Sequence, residues 1–319
     1  IIKRTIIENM FKILINSQGK IKKKSIVTIG NFDGLHLGHQ KIIQEVNILA
    51  QANNYKRILI TFEALPHEYF NDQLNRERYS RLSLLRDKYI VLKQQNLVDE
   101  LIVIHFNAAI ANMPAQTFIT QILQKQLNVE YAVVGDDFKF GKGGLGNSQT
   151  LMQNNIQCKI ITSIMVEGRR ISSSLIRTTA SCNDLSLVKK LLGRNLHYTA
   201  RVVHGMKLGR KFGVPTINLT LGRVRLALCG VYIVYVYINN ARYNAVASLG
   251  HNPTTNKLNV YKLEAHLLDV EIDLYGKIAT IEIIKFIRHE EKYSDLKILF
   301  ERIFLDIKIA KEYFANIQN

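Results

Sequence analysis

Short apolar segments alternate with amphipathic segments through the first half of the chain. The apolar segments have the length of buried strands, and five are predicted, at residues 25–29, 57–62, 101–105, 131–134 and 159–164. Between them, apolar residues recur every three or four positions, which predicts helices at 41–52, 82–95 and 114–126. Strands that alternate with helices form a parallel sheet covered on both faces. The first half is therefore predicted to be an α/β domain.

The pattern changes after residue 184. A helix is predicted at 185–192, and strand patterns then follow one another without intervening helices, at 198–204, 231–238, 243–248, 262–268 and 278–286. Turn residues separate these strands, which is typical of a small antiparallel barrel. A last helix is predicted at 294–314. We accordingly expect one domain at 1–184 and a second, β-barrel domain at 185–319.

The densest group of polar residues and glycines follows the first predicted strand. It holds Gly30, Asn31, Asp33, His36, Gly38 and His39. A glycine-rich turn between a strand and a helix start places free N–H groups and the helix dipole where they favour a phosphate. The two histidines could also be polar turn residues or metal ligands, but no Cys or His nearby completes a metal site. The pattern favours phosphate binding.

Two further segments could contribute to the same site. Residues 135–146 are rich in glycine, and there Asp137 and Phe138 combine a carboxylate with a ring that could stack on a ligand. The glycines alone would also fit a flexible surface loop. Residues 171–177 open a short helix with hydroxyl side chains, which is equally consistent with an ordinary helix cap. Arg177, one turn later, could bind phosphate oxygens.

A basic, glycine-rich loop leads into a strand in the second half, at residues 205–218. Backbone N–H groups and basic side chains there could surround ATP phosphates. Thr216 and Asn218 alternate along an extended segment, so their oxygens face one side as possible hard ligands of Mg²⁺. Glu264, within a later strand, could be a general base or a charge on the solvated face of the barrel. Its spacing alone favours the solvated charge.

Composition restricts the partners and the compartment. The formal net charge of +17 suits a polyanionic partner, but the Lys and Arg residues are scattered, which favours compositional drift and argues against nucleic acid. Three cysteines without ligand-like spacing fit a reducing, cytoplasmic compartment. The longest apolar run, 226–238, is shorter than the roughly 20 residues of a membrane helix, so no membrane span is expected. Met10 could be the ordinary start, with residues 1–9 as an extension.

Together these motifs resemble the prokaryotic bifunctional riboflavin kinase/FAD synthetase family. Residues 30–39 are similar to that family's nucleotidyltransferase signature, and 135–141 and 171–177 follow in the family's order. The kinase module's motifs match at 215–218, 230–232, 253–254, 264–269, 275–276 and 288–290. The resemblance covers nearly the whole chain.

The resemblance implies a fold and two activities. A Rossmann-like nucleotidyltransferase domain would transfer AMP from ATP to FMN, giving FAD and pyrophosphate. The barrel would phosphorylate riboflavin with ATP and Mg²⁺ to give FMN. ATP, riboflavin and FMN would be the partners, with flavins as substrates and products. The oligomeric state is not indicated.

The resemblance also implies a role for each matching residue. His36 and His39 would stabilise charge on the triphosphate, and Glu264 would take the proton of the attacking riboflavin hydroxyl. ATP would contact Gly30, Asn31, Gly38, Ser173, Ser174, Arg177, Gly209, Arg210 and Gly213. Flavin would contact Asp33, Asp137, Phe138 and Arg288. Mg²⁺ would be held by Thr216 and Asn218.

Departures from the family pattern leave two rival hypotheses. Where the family usually has Pro-His after residues 62–63, this chain has Ala64-Leu65, and Asn252 precedes Pro253 where an arginine is usual. These changes motivate the hypothesis that the chain has the same fold but retains only one of the two activities. A non-enzymatic binder of nucleic acid rests on the net charge alone, without an aromatic and basic recognition motif.

Overall fold

The computed structural model describes residues 21–76, 80–205, 209, 212–221, 224–251, 261–270, 272–293 and 295–318. They form two compact units. The first holds the described residues up to 76 together with Lys88–Ser172, and the second holds Ser80–Asp87 and the described residues from Ser173 onward. The boundary at 184 between domains stays a prediction. The suggested extension at residues 1–9 lies outside the described residues.

The first unit is built on a five-stranded parallel sheet. Its strands are β1 (Ser25–Ile29), β2 (Lys56–Glu63), β3 (Glu100–His105), β4 (Val129–Gly135) and β5 (Gln157–Ile161), in the order β3-β2-β1-β4-β5. The chain adds β2 and β3 on one side of β1 and then β4 and β5 on the other. Ligands of such sheets bind at the carboxyl ends of the strands where the order reverses. Residues 30–39 begin at that point.

Helices cover both faces of this sheet. They are α1 (Leu37–Asn53), α2 (Pro66–Gln73), α3 (Leu85–Gln94), α4 (Ala108–Ala111), α5 (Ala115–Thr117), which continues as a π-helix (Phe118–Gln126), and α6 (Ser148–Gln153). Successive residues of β1 point to opposite faces, so Ile26 packs with Val46 of α1 while Val27 packs with Ile119. A short hairpin of β6 (Met165–Val166) and β7 (Arg169–Arg170) follows the sheet.

The second unit is a closed six-stranded antiparallel barrel. Its strands are β8 (His197–Val203), β9 (Ile217–Thr220), β10 (Gly230–Ile238), β11 (Ala241–His251), β12 (Tyr261–Leu267) and β13 (Ile278–Arg288), in the order β10-β11-β12-β9-β8-β13. In β12, buried residues alternate with half-buried ones. Leu263 and Ala265 are fully buried, so Glu264 between them lies on the opposite face of the strand.

Among the residues that the structure describes, three helices accompany the barrel: α7 (Ser173–Ser181), α8 (Leu185–Leu192) and α9 (Leu296–Gln318). Asp184 caps α8 by accepting a hydrogen bond from the Leu187 N–H, and the helix ends at Gly193 in the left-handed region. Phe314 of α9 packs with Val231 and Ile233 of β10. No helix in the described part of the chain is long and apolar enough to cross a membrane.

The predicted fold class is confirmed, with differences at element ends. β1 and α8 have the predicted bounds, whereas α1 begins at Leu37 and not at 41. Gly38 suggests a turn in the sequence, but the His36 side chain caps the helix and lets it start earlier. The histidine motif therefore occupies the first turn of α1.

Candidate active sites

The first histidine of the motif caps helix α1. His36 Nδ1 accepts a hydrogen bond from the backbone N–H of His39 at 3.3 Å. An accepting Nδ1 carries no proton, so the proton of the neutral ring sits on Nε2. The hydrogen bond thus fixes the tautomer of His36 and satisfies a free N–H of the helix start.

The two histidine rings are stacked on each other. The centroids of His36 and His39 lie 3.6 Å apart with an interplanar angle of 19°. Gly38 leaves room for this arrangement, because a Cβ there would come within 3.1 Å of the His36 ring. Two imidazoles this close repel each other when both are protonated, and an anion between their donors removes that cost. The pair is suited to a phosphate group.

The other predicted residues of this motif lie in the same turn. Asp33 is buried, and Asn31 is half-buried. Gly30 donates its N–H to the carbonyl of Ile60 on β2, which fixes the start of the turn beside the sheet. These positions agree with a binding turn, and the role of each residue in contacting ATP or flavin stays a prediction.

Two carboxylates follow β4 and are joined by an arginine that lies outside the predicted motifs. Arg170 Nη2 donates to Asp136 Oδ1 and to Asp137 Oδ2, each at 2.9 Å. Phe138 stacks on Phe140 with centroids 5.4 Å apart. Asp137 therefore already has a cationic partner, and Phe138 already has a ring partner.

Four aromatic residues that the motifs do not include form a group beyond β2 and β3. The Phe106 ring lies 5.7 Å from that of Phe62, 5.5 Å from that of Tyr69 and 5.8 Å from that of Phe70. Phe70 keeps 47% of its surface exposed. The group thus presents a partly exposed aromatic surface near the carboxyl end of the sheet. Because its members are spread over 62–106, no local sequence pattern indicates it.

The departure at Ala64-Leu65 is followed at once by a proline and a histidine. Pro66 and His67 begin α2, and Glu68 Oε2 accepts a hydrogen bond from the Leu65 N–H at 3.0 Å. The chain thus carries Pro-His directly behind β2, two residues later than the resemblance places it. This weakens the reason for expecting a missing activity in the first unit.

The serine and arginine motif forms the start of α7. Ser173 is its first residue, and Arg177 Nη2 donates to Ser174 Oγ at 3.0 Å. The guanidinium and the hydroxyl therefore lie on the same side of the helix start. α7 belongs to the second compact unit, whereas His36 and His39 belong to the first. A joint ATP site for these residues stays a prediction.

In the second unit, the glycine-rich loop is closed by backbone hydrogen bonds. Val214 and Phe212 donate their N–H groups to the Gly209 carbonyl at 2.9 and 3.0 Å. Gly213 has a φ of 76°, and a Cβ on Gly209 would overlap the Val214 carbonyl. Both glycines are therefore required by the turn itself. Arg210 and the Asn252–Thr254 segment lie outside the described residues.

Asn218 starts a row of polar side chains across three neighbouring strands. It faces Glu264 of β12, which in turn faces Ser248 of β11. Directly opposed residues in an antiparallel pair have side chains on the same face. Thr216 lies two residues before Asn218 and hence on the same side of the chain. The structure thus brings Asn218 and Glu264 together, and their roles as a Mg²⁺ ligand and a general base stay predictions.

A second carboxylate joins this row from the segment after β13. Glu290 Oε1 accepts a hydrogen bond from Ser248 Oγ at 2.7 Å. Burial raises the pKa of Glu264; Lys262 opposes this effect and the charge of Glu290 adds to it. A raised pKa makes a carboxylate a stronger base. Neither Ser248 nor Glu290 was among the predicted site residues.

Thr216 also borders a mainly apolar cleft. Its other walls come from Val202, Pro215, Ile217, Leu267, Val270, Ile272, Leu274 and Tyr275. His266 Nδ1 contacts the Pro215 carbonyl at 2.8 Å and so ties this edge of the cleft to β12. Such an apolar lining is typical of ligand pockets.

Arg288 is engaged by the C-terminal helix. Its Nε and Nη2 donate to the Asp306 carboxylate at 3.0 and 2.9 Å, and Nη1 donates to the His289 carbonyl at 3.1 Å. Asp306 is 3% exposed. This geometry shows an ion pair between Arg288 and Asp306, and the flavin contact predicted for Arg288 stays a prediction.

Comparisons with known proteins found matches to both units of the chain. A family model described as FAD synthetase matches residues 18–175, and one described as riboflavin kinase matches 192–314. The bifunctional riboflavin kinase/FMN adenylyltransferase of Haemophilus influenzae is 36% identical over 308 residues, covering 94% of this chain and 97% of the relative. The Escherichia coli K12 protein of the same name is 36% identical, with 91% and 93% covered.

A solved structure agrees with the fold. A Streptococcus pneumoniae protein, described as a macrolide-efflux protein, superposes with a TM-score of 0.73 and 27% identity. The match covers 92% of this chain and 96% of that one. The two-part architecture is thus shared along nearly the full length of both chains.

Proposed function

This chain belongs to the bifunctional riboflavin kinase/FMN adenylyltransferase family, and we propose that its second unit makes FMN, which its first unit converts into FAD. The main observation behind this assignment is that the two candidate sites lie on different units. The stacked imidazoles lie on the first unit, and the Asn218–Glu264 row lies on the second.

In the kinase step, Glu264 takes the proton of the riboflavin hydroxyl that attacks the γ-phosphorus of ATP. The new O–P bond forms as the bond to ADP breaks, so no covalent enzyme intermediate is required. The raised pKa of Glu264 supports this role, because a stronger base accepts the proton more readily. The adenine ring is assigned to the apolar cleft beside Thr216, with Gly209 and Gly213 next to the phosphates.

In the adenylyl-transfer step, an oxygen of the FMN phosphate attacks the α-phosphorus of ATP and pyrophosphate leaves. His36 and His39 donate hydrogen bonds to the phosphate oxygens on which charge develops. Gly30, Asn31 and Gly38 line the approach. Ser173, Ser174 and Arg177 are assigned to ATP phosphates on the basis of the family motif.

The flavin ring of FMN is assigned to the aromatic group of Phe62, Tyr69, Phe70 and Phe106. Phe70 is the exposed member, and offset stacking on a ring contributes about 0.5–1.5 kcal/mol beyond area burial. The Arg170 guanidinium is bound by Asp136 and Asp137, whose two negative charges offset it, so it is not assigned to the FMN phosphate. Asp33, Asp137 and Phe138 stay candidates for flavin contact.

Mg²⁺ is assigned to the kinase unit together with ATP. The Thr216 hydroxyl and the Asn218 amide are hard oxygen donors that would hold the ion together with ATP. Among the described residues, no group of three or more His, Cys, Asp or Glu side chains could hold a metal without such a substrate. When bound, the ion neutralises charge on the β- and γ-phosphates.

Incubation with riboflavin and Mg²⁺·ATP, followed by separation of the flavins, tests the proposal. FMN and then FAD should accumulate, and the absence of both would refute it. His39→Ala should lower FAD formation by about 10²–10³-fold while FMN still appears. Glu264→Gln should lower FMN formation by about 10²–10⁴-fold, and FMN supplied directly should still give FAD.

His39→Ala and Glu264→Gln control for each other, because each should affect only one of the two reactions. Equal loss of both steps in either variant contradicts the two-site assignment. Supplying FMN in place of riboflavin also tests the alternative of a single retained activity. We place the reactions in the cytoplasm, a proposal supported by the free thiols of Cys158, Cys182 and Cys229.

A further inference from the structure

A fully buried lysine lies behind the histidine turn. Lys88 of α3 is 1% exposed, although a buried ammonium is unfavourable unless its hydrogen bonds are made. Its Nζ donates to the backbone carbonyl of Asn31 at 2.9 Å. None of the roles assigned above uses this residue.

The Asn31 carbonyl accepts a second hydrogen bond at the same point. Thr61 Oγ1 of β2 donates to it at 3.1 Å, and Lys88 Nζ lies 3.5 Å from the same hydroxyl. Two donors from two different elements thus hold one peptide group of the turn. That peptide group joins Asn31 to Phe32.

The backbone beyond this peptide group is in an uncommon conformation. Phe32 has a φ of 46° and Leu35 a φ of 44°, in the left-handed region that non-glycine residues rarely adopt. Such residues persist where the surrounding structure holds them. The Phe32 ring then lies 5.0 Å from the ring of His39. A chain of contacts therefore leads from Lys88, through the Asn31 carbonyl and Phe32, to a histidine of the site.

We propose that Lys88 is a positioning residue for adenylyl transfer, which sets the turn that presents His36 and His39. This inference rests on the assignment of the two histidines to the triphosphate of ATP. Loss of either donor would release the peptide group between Asn31 and Phe32, and a shifted turn would misplace both histidines relative to the ATP phosphates. FMN, held elsewhere by its ring, should respond less.

Steady-state kinetics with FMN and ATP as substrates test this role. Lys88→Met keeps the length of the side chain but removes its charge and donors. The KM for ATP should rise about tenfold and kcat should fall about tenfold, while the KM for FMN stays within twofold. Lys88→Arg should restore most of the loss. Thr61→Val, which removes the other donor, should raise the KM for ATP two- to fivefold.

A packing role would give a different result. Leu92→Met changes a fully buried residue one turn further along α3 and should leave both KM values unchanged. An unchanged KM for ATP in Lys88→Met and Thr61→Val overturns the proposal. If Lys88→Met does not fold, the test depends on Thr61→Val and Lys88→Arg. A near-normal KM for ATP in Thr61→Val then overturns the proposal.

The failure of this inference can be distinguished from failure of the site assignment. If His39→Ala retains FAD formation, the histidine site itself is wrong, whatever Lys88→Met does. If His39→Ala abolishes FAD formation and Lys88→Met leaves it intact, only the role of Lys88 is wrong. Riboflavin phosphorylation by the same samples should be unchanged in every variant.

Discussion

The carboxylate of Glu290 lies directly against the α-carbon of Gly250. A Cβ built on Gly250 would overlap the carboxyl carbon and both carboxylate oxygens of Glu290. Gly250 is the second residue after Ser248 on β11, and it is Ser248 that donates a hydrogen bond to Glu290. The missing side chain therefore admits the second carboxylate to the face of the barrel that carries Glu264.

Gly250→Ala should displace Glu290 and slow riboflavin phosphorylation by about tenfold, since the negative charge that strengthens Glu264 as a base is lost. FAD formation from supplied FMN should be unchanged. In a Glu290→Ala background the same glycine substitution should change the rate less than twofold, because the clash no longer exists. A normal rate in Gly250→Ala would contradict the relationship.

The Glu290 contact could not be read from the sequence. Ser248 and Glu290 are 42 residues apart and meet only because β10 pairs with both β11 and β13 in the closed barrel. In contrast, Asn218 and Glu264 were identified by the local motifs around each of them. Local motifs therefore indicate Asn218 and Glu264. The strand register and the closure of the barrel decide that Ser248 and Glu290 lie beside them.

The histidine turn shows the same limit. The sequence pattern groups these residues after β1, where the structure also has them, but it predicts the helix start at residue 41. Gly38 looks like a turn residue in a linear pattern, whereas in the structure it leaves room for the His36 ring inside the first helical turn. The conformation depended on a side-chain cap that propensity alone does not reveal.

Gly38→Ala separates stability from activity. Alanine is favoured over glycine in a helix by up to about 1 kcal/mol, so thermal unfolding of the first unit should be unchanged or shifted upward. The added Cβ presses on the His36 ring, and FAD formation should fall by about 10–100-fold. Gln51→Ala, at an exposed position of the same helix, should leave both properties unchanged. A fully active Gly38→Ala protein would show that the stacked rings are not required.

Arg288→Met should destabilise the second unit, because it leaves the carboxylate of Asp306 buried without its partner. Breaking a buried ion pair costs about 3–5 kcal/mol, so the free energy of unfolding should fall by about this amount. Urea denaturation measures the change. Replacing both partners, as in Arg288→Met with Asp306→Leu, should restore most of the stability. The KM for riboflavin in the double variant should stay within twofold of normal. A large rise would instead indicate the flavin contact expected from the family motif.

Asp87 gives the second unit a dependence of stability on pH. It is fully buried, its Oδ1 accepts the Thr199 N–H of β8 at 2.7 Å, and its Oδ2 accepts the Leu84 N–H at 2.7 Å. Burial raises its pKa to about 7, although these N–H groups and Arg194 act in the opposite direction. A carboxyl whose pKa is raised by folding is bound to its proton more tightly in the folded state. The stabilisation that this bound proton gives to the folded state is complete below about pH 4 and is lost as the pH rises through 7.

The free energy of unfolding of the second unit should therefore fall between pH 5 and pH 8, by an amount on the order of 3 kcal/mol from this one group. Asp87→Asn cannot titrate, so its unfolding free energy should change less with pH over the same range, even if its stability at pH 5 is lower. Asp184→Asn removes an exposed carboxylate from the same unit and should keep the wild-type slope. Urea denaturation at several pH values measures all three slopes. Equal slopes for Asp87→Asn and the unmodified protein would mean that Asp87 is ionised throughout, held in that form by Arg194 and its two N–H donors.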